Sequence, residues 1–151
     1  MKAPQSVCFR VTRACNARCG FCLAPWDGEH PDEATLARRI DWLLAQGVKA
    51  LDFCGGEPTI HPALPRLIER AASAKTRVTT NGISMPPRLV EALQRCGTQV
   101  KVSLHGARER HDLMVGVAAF DCSASVAGSL QREEVGVFAS LRHQLFVRSQ
   151  L

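Results

Sequence analysis

Strand-like and helix-like stretches take turns along the chain, and that alternation restricts its fold more than any other feature. Runs rich in β-branched and apolar residues at 7–11, 48–53, 77–80, 100–104 and 135–141 read as strands. Between them the apolar spacing changes to that of helices. Leu36, Ile40, Leu43 and Leu44 form one stripe, behind Pro31 and two acidic residues and ahead of the stop Gly47. Leu64, Leu67, Ile68, Ala71 and Ala72 form a second stripe. Leu89, Val90 and Leu93 form a third, opened by Pro86 and Pro87 and closed by Gly97, and a weaker helix is predicted over 119–132. Parallel strands require crossover connections, normally helices, so this order predicts an α/β fold: a partial (βα) barrel with about five parallel strands and four helices. A full eight-unit barrel takes ~250 residues. The 151-residue chain holds about four and a half strand–helix units, so a single core domain over 1–151, incomplete at the C-terminus, is expected. One sheet edge is then open, or covered by a partner chain.

Composition sets outer limits. The chain is 46% hydrophobic and 22% charged, ordinary for a globule with a sizeable core. Its net charge of +5 is scattered, with no run of five or six basic residues, so nucleic-acid binding is not supported. No signal-peptide region is found, nor a stretch near the ~20 apolar residues that span a membrane. A cytoplasmic protein with no membrane partner is expected. Seven cysteines in such a chain point to reduced thiols rather than a disulfide framework. Cys8, Cys54, Cys96 and Cys122 lie in strand-like or helix-like runs, where cysteine serves as a small buried hydrophobe.

The other three cysteines stand apart from these. Cys15, Cys19 and Cys22 fall within eight residues, directly after the first strand. Three thiolates on one loop can hold three corners of an iron–sulfur cube and leave the fourth iron open to a small molecule. They can also contribute to a zinc knuckle, with a histidine as fourth ligand, or pair as a Cys19–Cys22 redox couple. Further motifs follow the same rule of place. Gly55-Gly56-Glu57-Pro58 follows the second strand, Asn81-Gly82 the third and His105-Gly106 the fourth. Barrel enzymes keep their chemistry at these C-terminal strand ends. Taken singly, the first of these segments could be a turn that starts a helix, and Asn81-Gly82 a bare turn. His105 shapes a loop or faces the site, whereas His30, His61, His111 and His143 are expected at the surface or in turns. Trp26 either shields the cysteine loop or simply packs.

Together, CxxxCxxC with Phe21 before its last cysteine, Gly55-Gly56-Glu57-Pro58, Thr80-Asn81-Gly82 and Ser103-Leu104-His105-Gly106 resemble the signature of the radical S-adenosylmethionine superfamily. His111-Asp112, Gly116 and Phe120 continue the pattern, so the resemblance covers residues 7 to about 125. It implies that Cys15, Cys19 and Cys22 ligate a 4Fe-4S cluster whose unique iron is chelated by S-adenosylmethionine. Phe21 would flank the adenine. Gly55, Gly56 and Glu57 would meet the methionyl amino group, and Ser103 the cofactor's polar groups. Thr80 and Asn81 would lie nearer the substrate or shape the turn. The implied reaction is reductive cleavage of S-adenosylmethionine to a 5'-deoxyadenosyl radical that abstracts hydrogen from a substrate not identifiable from the sequence. An electron donor such as a flavodoxin or ferredoxin is implied as partner. The family's usual sixth strand has no counterpart here, and Val135-Gly136-Val137 gives no firm match to its adenine contact. A truncated or degenerate cluster-binding module without turnover is therefore the alternative, and a structural zinc module a third reading.

Overall fold

The computed structural model describes residues 4–23, 28–132 and 135–140. Trp26 and His143 lie outside the described residues, as does the end of the predicted fifth strand. Among the described residues five strands, β1 (Ser6–Thr12), β2 (Ala50–Gly55), β3 (Lys75–Thr80), β4 (Gln99–Ser103) and β5 (Val137–Ser140), form one sheet in chain order, and every neighbouring pair is parallel. The crossovers are α1 (Glu33–Ala45), α2 (Leu64–Arg70), α3 (Pro87–Arg95), and the pair α4 (Arg108–Val115) and α5 (Phe120–Arg132). A short 3₁₀ turn, Pro58–Ile60, precedes α2. A sheet wound in one direction is the expected partial (βα) barrel, with one helix more than the sequence predicts.

Strand alternation divides the sheet into two chemically different faces. Phe9 and Val11 of β1, Leu51 and Phe53 of β2, Val78 of β3, and Val100 and Val102 of β4 are buried in a single core. Leu36 and Ile40 of α1, Leu64, Leu67 and Ile68 of α2, and Leu89 and Leu93 of α3 complete that core. Phe53 meets Phe9 edge to face at 5.8 Å, a favoured aromatic geometry. The alternate residues, Cys8, Asp52, Cys54, Arg77, Thr79, Lys101 and Ser103, line a cavity on the opposite face. Helix α1 starts where Asp32 accepts the Thr35 N–H at 2.9 Å, one residue after Pro31. No single helix among the described residues is long and apolar enough to cross a membrane.

Candidate functional site

The loop leaving β1 is clamped from two sides. Gly56 and Glu57 donate their backbone N–H groups to the carbonyls of Thr12 (2.9 Å) and Ala14 (2.8 Å), while Arg18 donates to the Val115 carbonyl at the end of α4 (2.8 Å). Glycine is required at both clamps. A Cβ on Gly55 would run into the Thr12 carbonyl oxygen, on Gly56 into that of Ala14, and on Gly116 into that of Arg18; all three are backbone atoms. Residues 15–22 are thereby held over the C-terminal ends of the strands.

Glu57 ties the neighbouring turns together. Its carboxylate, 1% exposed, accepts four hydrogen bonds: from the Thr59 N–H (3.1 Å) and hydroxyl (2.7 Å), the Thr80 hydroxyl (2.7 Å) and the Asn81 N–H (2.7 Å). Asn81 in turn donates its amide to Asn16 Oδ1 at 2.8 Å, inside the cysteine loop. The turns after β1, β2 and β3 are thus one hydrogen-bonded unit. Burial pushes the Glu57 carboxyl up from its usual range, and hydrogen bonds from Asn81, Thr80 and Thr59 oppose the rise. Four donors favour the ionised form. With both oxygens so engaged, Glu57 presents the cavity with its charge rather than with free acceptors.

The cavity measures about 660 Å³ and brings together every site residue singled out in the sequence: Cys15, Cys19, Cys22, Phe21, Gly55, Gly56, Glu57 and Ser103. Phe21 stands at the mouth, 39% exposed, with its ring edge-on to His105 at 5.0 Å. Thr80 and Asn81 also line the wall. Burial pushes the Cys15 thiol up; the Ala17 N–H, 3.4 Å from its sulfur, opposes this, and Glu57 and Cys22 add to the rise. Burial also raises Cys19, helped by Cys15 and Cys22. Deprotonating Cys15 and Cys19 beside a buried carboxylate is unfavourable unless compensating positive charge arrives, as it does with a metal group. Three soft sulfur donors on one loop fit an iron–sulfur cube, where each thiolate binds its own iron. Among the described residues no three His, Cys, Asp or Glu side chains gather at one metal-ion position, the arrangement a zinc knuckle needs.

Several expectations are corrected. Cys8 and Cys54, expected as reduced and buried, form a disulfide that lines the cavity, with Cys8 exposed. Their strand parity explains this, because Phe9, Val11, Leu51 and Phe53 take the helix-covered face. Cys122, expected as buried, is exposed on α5, while Cys96 is half-buried at the end of α3. Of the histidines expected at the surface or in turns, His61 ends the 3₁₀ turn but is buried, and His111 is buried within α4. His61 accepts the Ala63 N–H through Nδ1 (3.2 Å), which leaves Nε2–H to donate to the Pro31 carbonyl (3.0 Å). His111 Nδ1 accepts the His105 N–H at 3.2 Å, and burial pushes its pKa down. Asn16, Asp52, Arg77 and Lys101 were not singled out in the sequence. For the last three the available signal was the parity of their strands, opposite to the core residues.

Comparison with known proteins shows the family and the fold. The profile of the Radical SAM superfamily matches residues 9–135. The GTP 3',8-cyclase of Chlorobaculum tepidum is 36% identical over 94 residues, covering 58% of this chain and 28% of that protein. The Fe-coproporphyrin III synthase of Methanosarcina barkeri is 34% identical over 144 residues, covering 90% of this chain and 36% of that protein. The chain therefore spans about a third of the length of these relatives. Among solved structures, Streptococcus suis SuiB bound to its precursor peptide SuiA superposes with a TM-score of 0.83 at 22% identity, covering 92% of this chain and 33% of SuiB. SuiB bound to S-adenosylmethionine gives a TM-score of 0.81 at 20% identity, covering 91% of this chain and 32% of SuiB. At those identities the likeness is one of fold.

Proposed function

Because the chain belongs to the radical S-adenosylmethionine superfamily, we propose that it is the core of a radical enzyme, with Cys15, Cys19 and Cys22 as ligands of a 4Fe-4S cluster. The observation that carries this reading is the convergence of those thiols with Gly55, Gly56, Glu57 and Ser103 on one cavity at the strand ends. When bound, the cluster supplies the electron that cleaves S-adenosylmethionine to methionine and a 5'-deoxyadenosyl radical able to abstract hydrogen from a substrate. Gly55 and Gly56 hold the backbone edge that meets the methionyl ammonium, and the Glu57 charge behind them favours a cation there. Ser103 offers a hydroxyl to the cofactor's polar groups. Phe21 covers one face of the adenine and, with His105, narrows the mouth against water and oxygen. Cytoplasmic location, an electron donor such as a flavodoxin or ferredoxin, and strands from elsewhere completing the barrel of this single core domain belong to the same proposal.

The test is anaerobic reconstitution with iron and sulfide, reduction, addition of S-adenosylmethionine and assay of 5'-deoxyadenosine. Wild type is expected to turn brown and release the nucleoside. Cys19→Ala is expected to lose cluster assembly, whereas Cys96→Ala retains its iron. Zinc uptake without chromophore, or equal iron loss in both variants, would overturn the ligand assignment. Cluster without cleavage would favour a cluster-binding module without turnover.

A further inference from the structure

One layer of the cavity is not used by the cluster loop or the cofactor shelf. Lys101 precedes Ser103 by two residues on β4, so it points to the same face about 6–7 Å further from the strand ends. It lies in register with Thr79. The adjacent pair Asp52 and Arg77 is also in register. Asp52 is already committed: Arg77 Nη2 and Nε donate to its Oδ2 at 2.8 and 3.0 Å, and the Thr79 hydroxyl donates to its Oδ1 at 3.0 Å. Among the described residues no carboxylate pairs with Lys101, which is half-buried. Glu57, the other acid in the lining, directs its oxygens to Thr59, Thr80 and Asn81. Arg77, whose side chain is 45% exposed, is thus matched by Asp52, while Lys101 is left, among the described residues, as a half-buried cation without a carboxylate, where an unpaired charge is unfavourable. Arg77 also keeps N–H donors beyond those given to Asp52.

We propose that this layer is a substrate subsite and that it receives an anionic group, phosphate or carboxylate, with Lys101 as its principal contact and Arg77 as a second donor. The inference rests on the radical-enzyme reading only in taking the cavity as the substrate's seat. An anion held here would place the rest of the substrate toward the strand ends, under the cofactor shelf.

The test is calorimetric titration of cluster-free and iron-loaded protein, at low salt, with pyrophosphate in one arm and succinate in the other. Wild type is expected to bind at least one of them at one site per chain, and the stronger arm identifies the source of the anion. Lys101→Met should weaken that binding about tenfold or more, and Lys101→Arg should retain it. Thermal melts of the variants separate loss of binding from loss of fold. Equal affinity in wild type and Lys101→Met, or no binding of either anion, would overturn the subsite. Failure to take up iron would instead overturn the cluster reading, since the cluster-free titration reports on Lys101 independently.

Discussion

Replacing Glu57 by glutamine keeps one acceptor oxygen but turns an amide N–H toward the Asn81 N–H, setting donor against donor in a buried place. Glu57→Gln is expected to cost about 2 kcal/mol of stability, seen as a lower urea midpoint at unchanged slope. An unchanged midpoint would mean that the Asn81 N–H finds another acceptor. Gly56→Ala should displace the cysteine loop, because its Cβ would meet the Ala14 carbonyl, and should abolish iron loading. Gly20→Ala, with open space around it, should load normally; iron per chain after reconstitution compares the two. The spacing of Cys15, Cys19 and Cys22 was legible in the sequence because it is local. The purpose of the two glycines was only half legible. They were expected to let a ligand approach, but the nearest atoms are those of the chain's own β1 exit, a contact between residues more than forty positions apart.

Helix α4 shows why one element escaped the sequence while the others did not. Arg108-Glu109-Arg110-His111-Asp112 carries no apolar stripe and its start has no side-chain cap. Tertiary contacts support it instead: buried His111, the Arg18–Val115 hydrogen bond and Gly116. Helices α1, α2 and α3 were readable because each presents a periodic stripe to the core. The corner after α4 is held by Asp112, whose carboxylate accepts the Ala119 and Phe120 N–H groups at 2.8 Å each. Those hydrogen bonds hold the Asp112 carboxyl below its usual range. Its contribution is therefore fully present above the unfolded value, about 3.9, and is lost as pH falls through the lower folded value. Asp112→Asn keeps an acceptor but not the charge, so its stability should fall less steeply than that of wild type as pH drops below about 4, toward about 2. Parallel falls in urea midpoint would remove Asp112 from this role.

At the scale of the molecule, the disulfide between Cys8 and Cys54 ties β1 to β2 across 46 positions. Closing a loop of that length stabilises a fold by about 4 kcal/mol in the chain-entropy account. Wild type is expected to show a lower urea midpoint with dithiothreitol than without, whereas the double variant Cys8→Ser with Cys54→Ser should show none of that dependence. Equal reductant sensitivity in both would place the effect elsewhere. This bridge was hidden in the sequence by a reasonable prior about redox compartment, although strand parity already placed both sulfurs on one face. The larger architecture was legible because strand order and parallel pairing follow from the repeated unit. The brace around the cysteine loop was not, because it joins segments from four separate crossovers. That brace sets what could be transplanted: the octapeptide with its three thiols carries donors but no scaffold. The brace itself reaches from Thr12 to Gly116 and leans on β1 and α5 beyond it, so a graft without them would inherit the metal's appetite without the rigidity that aims it.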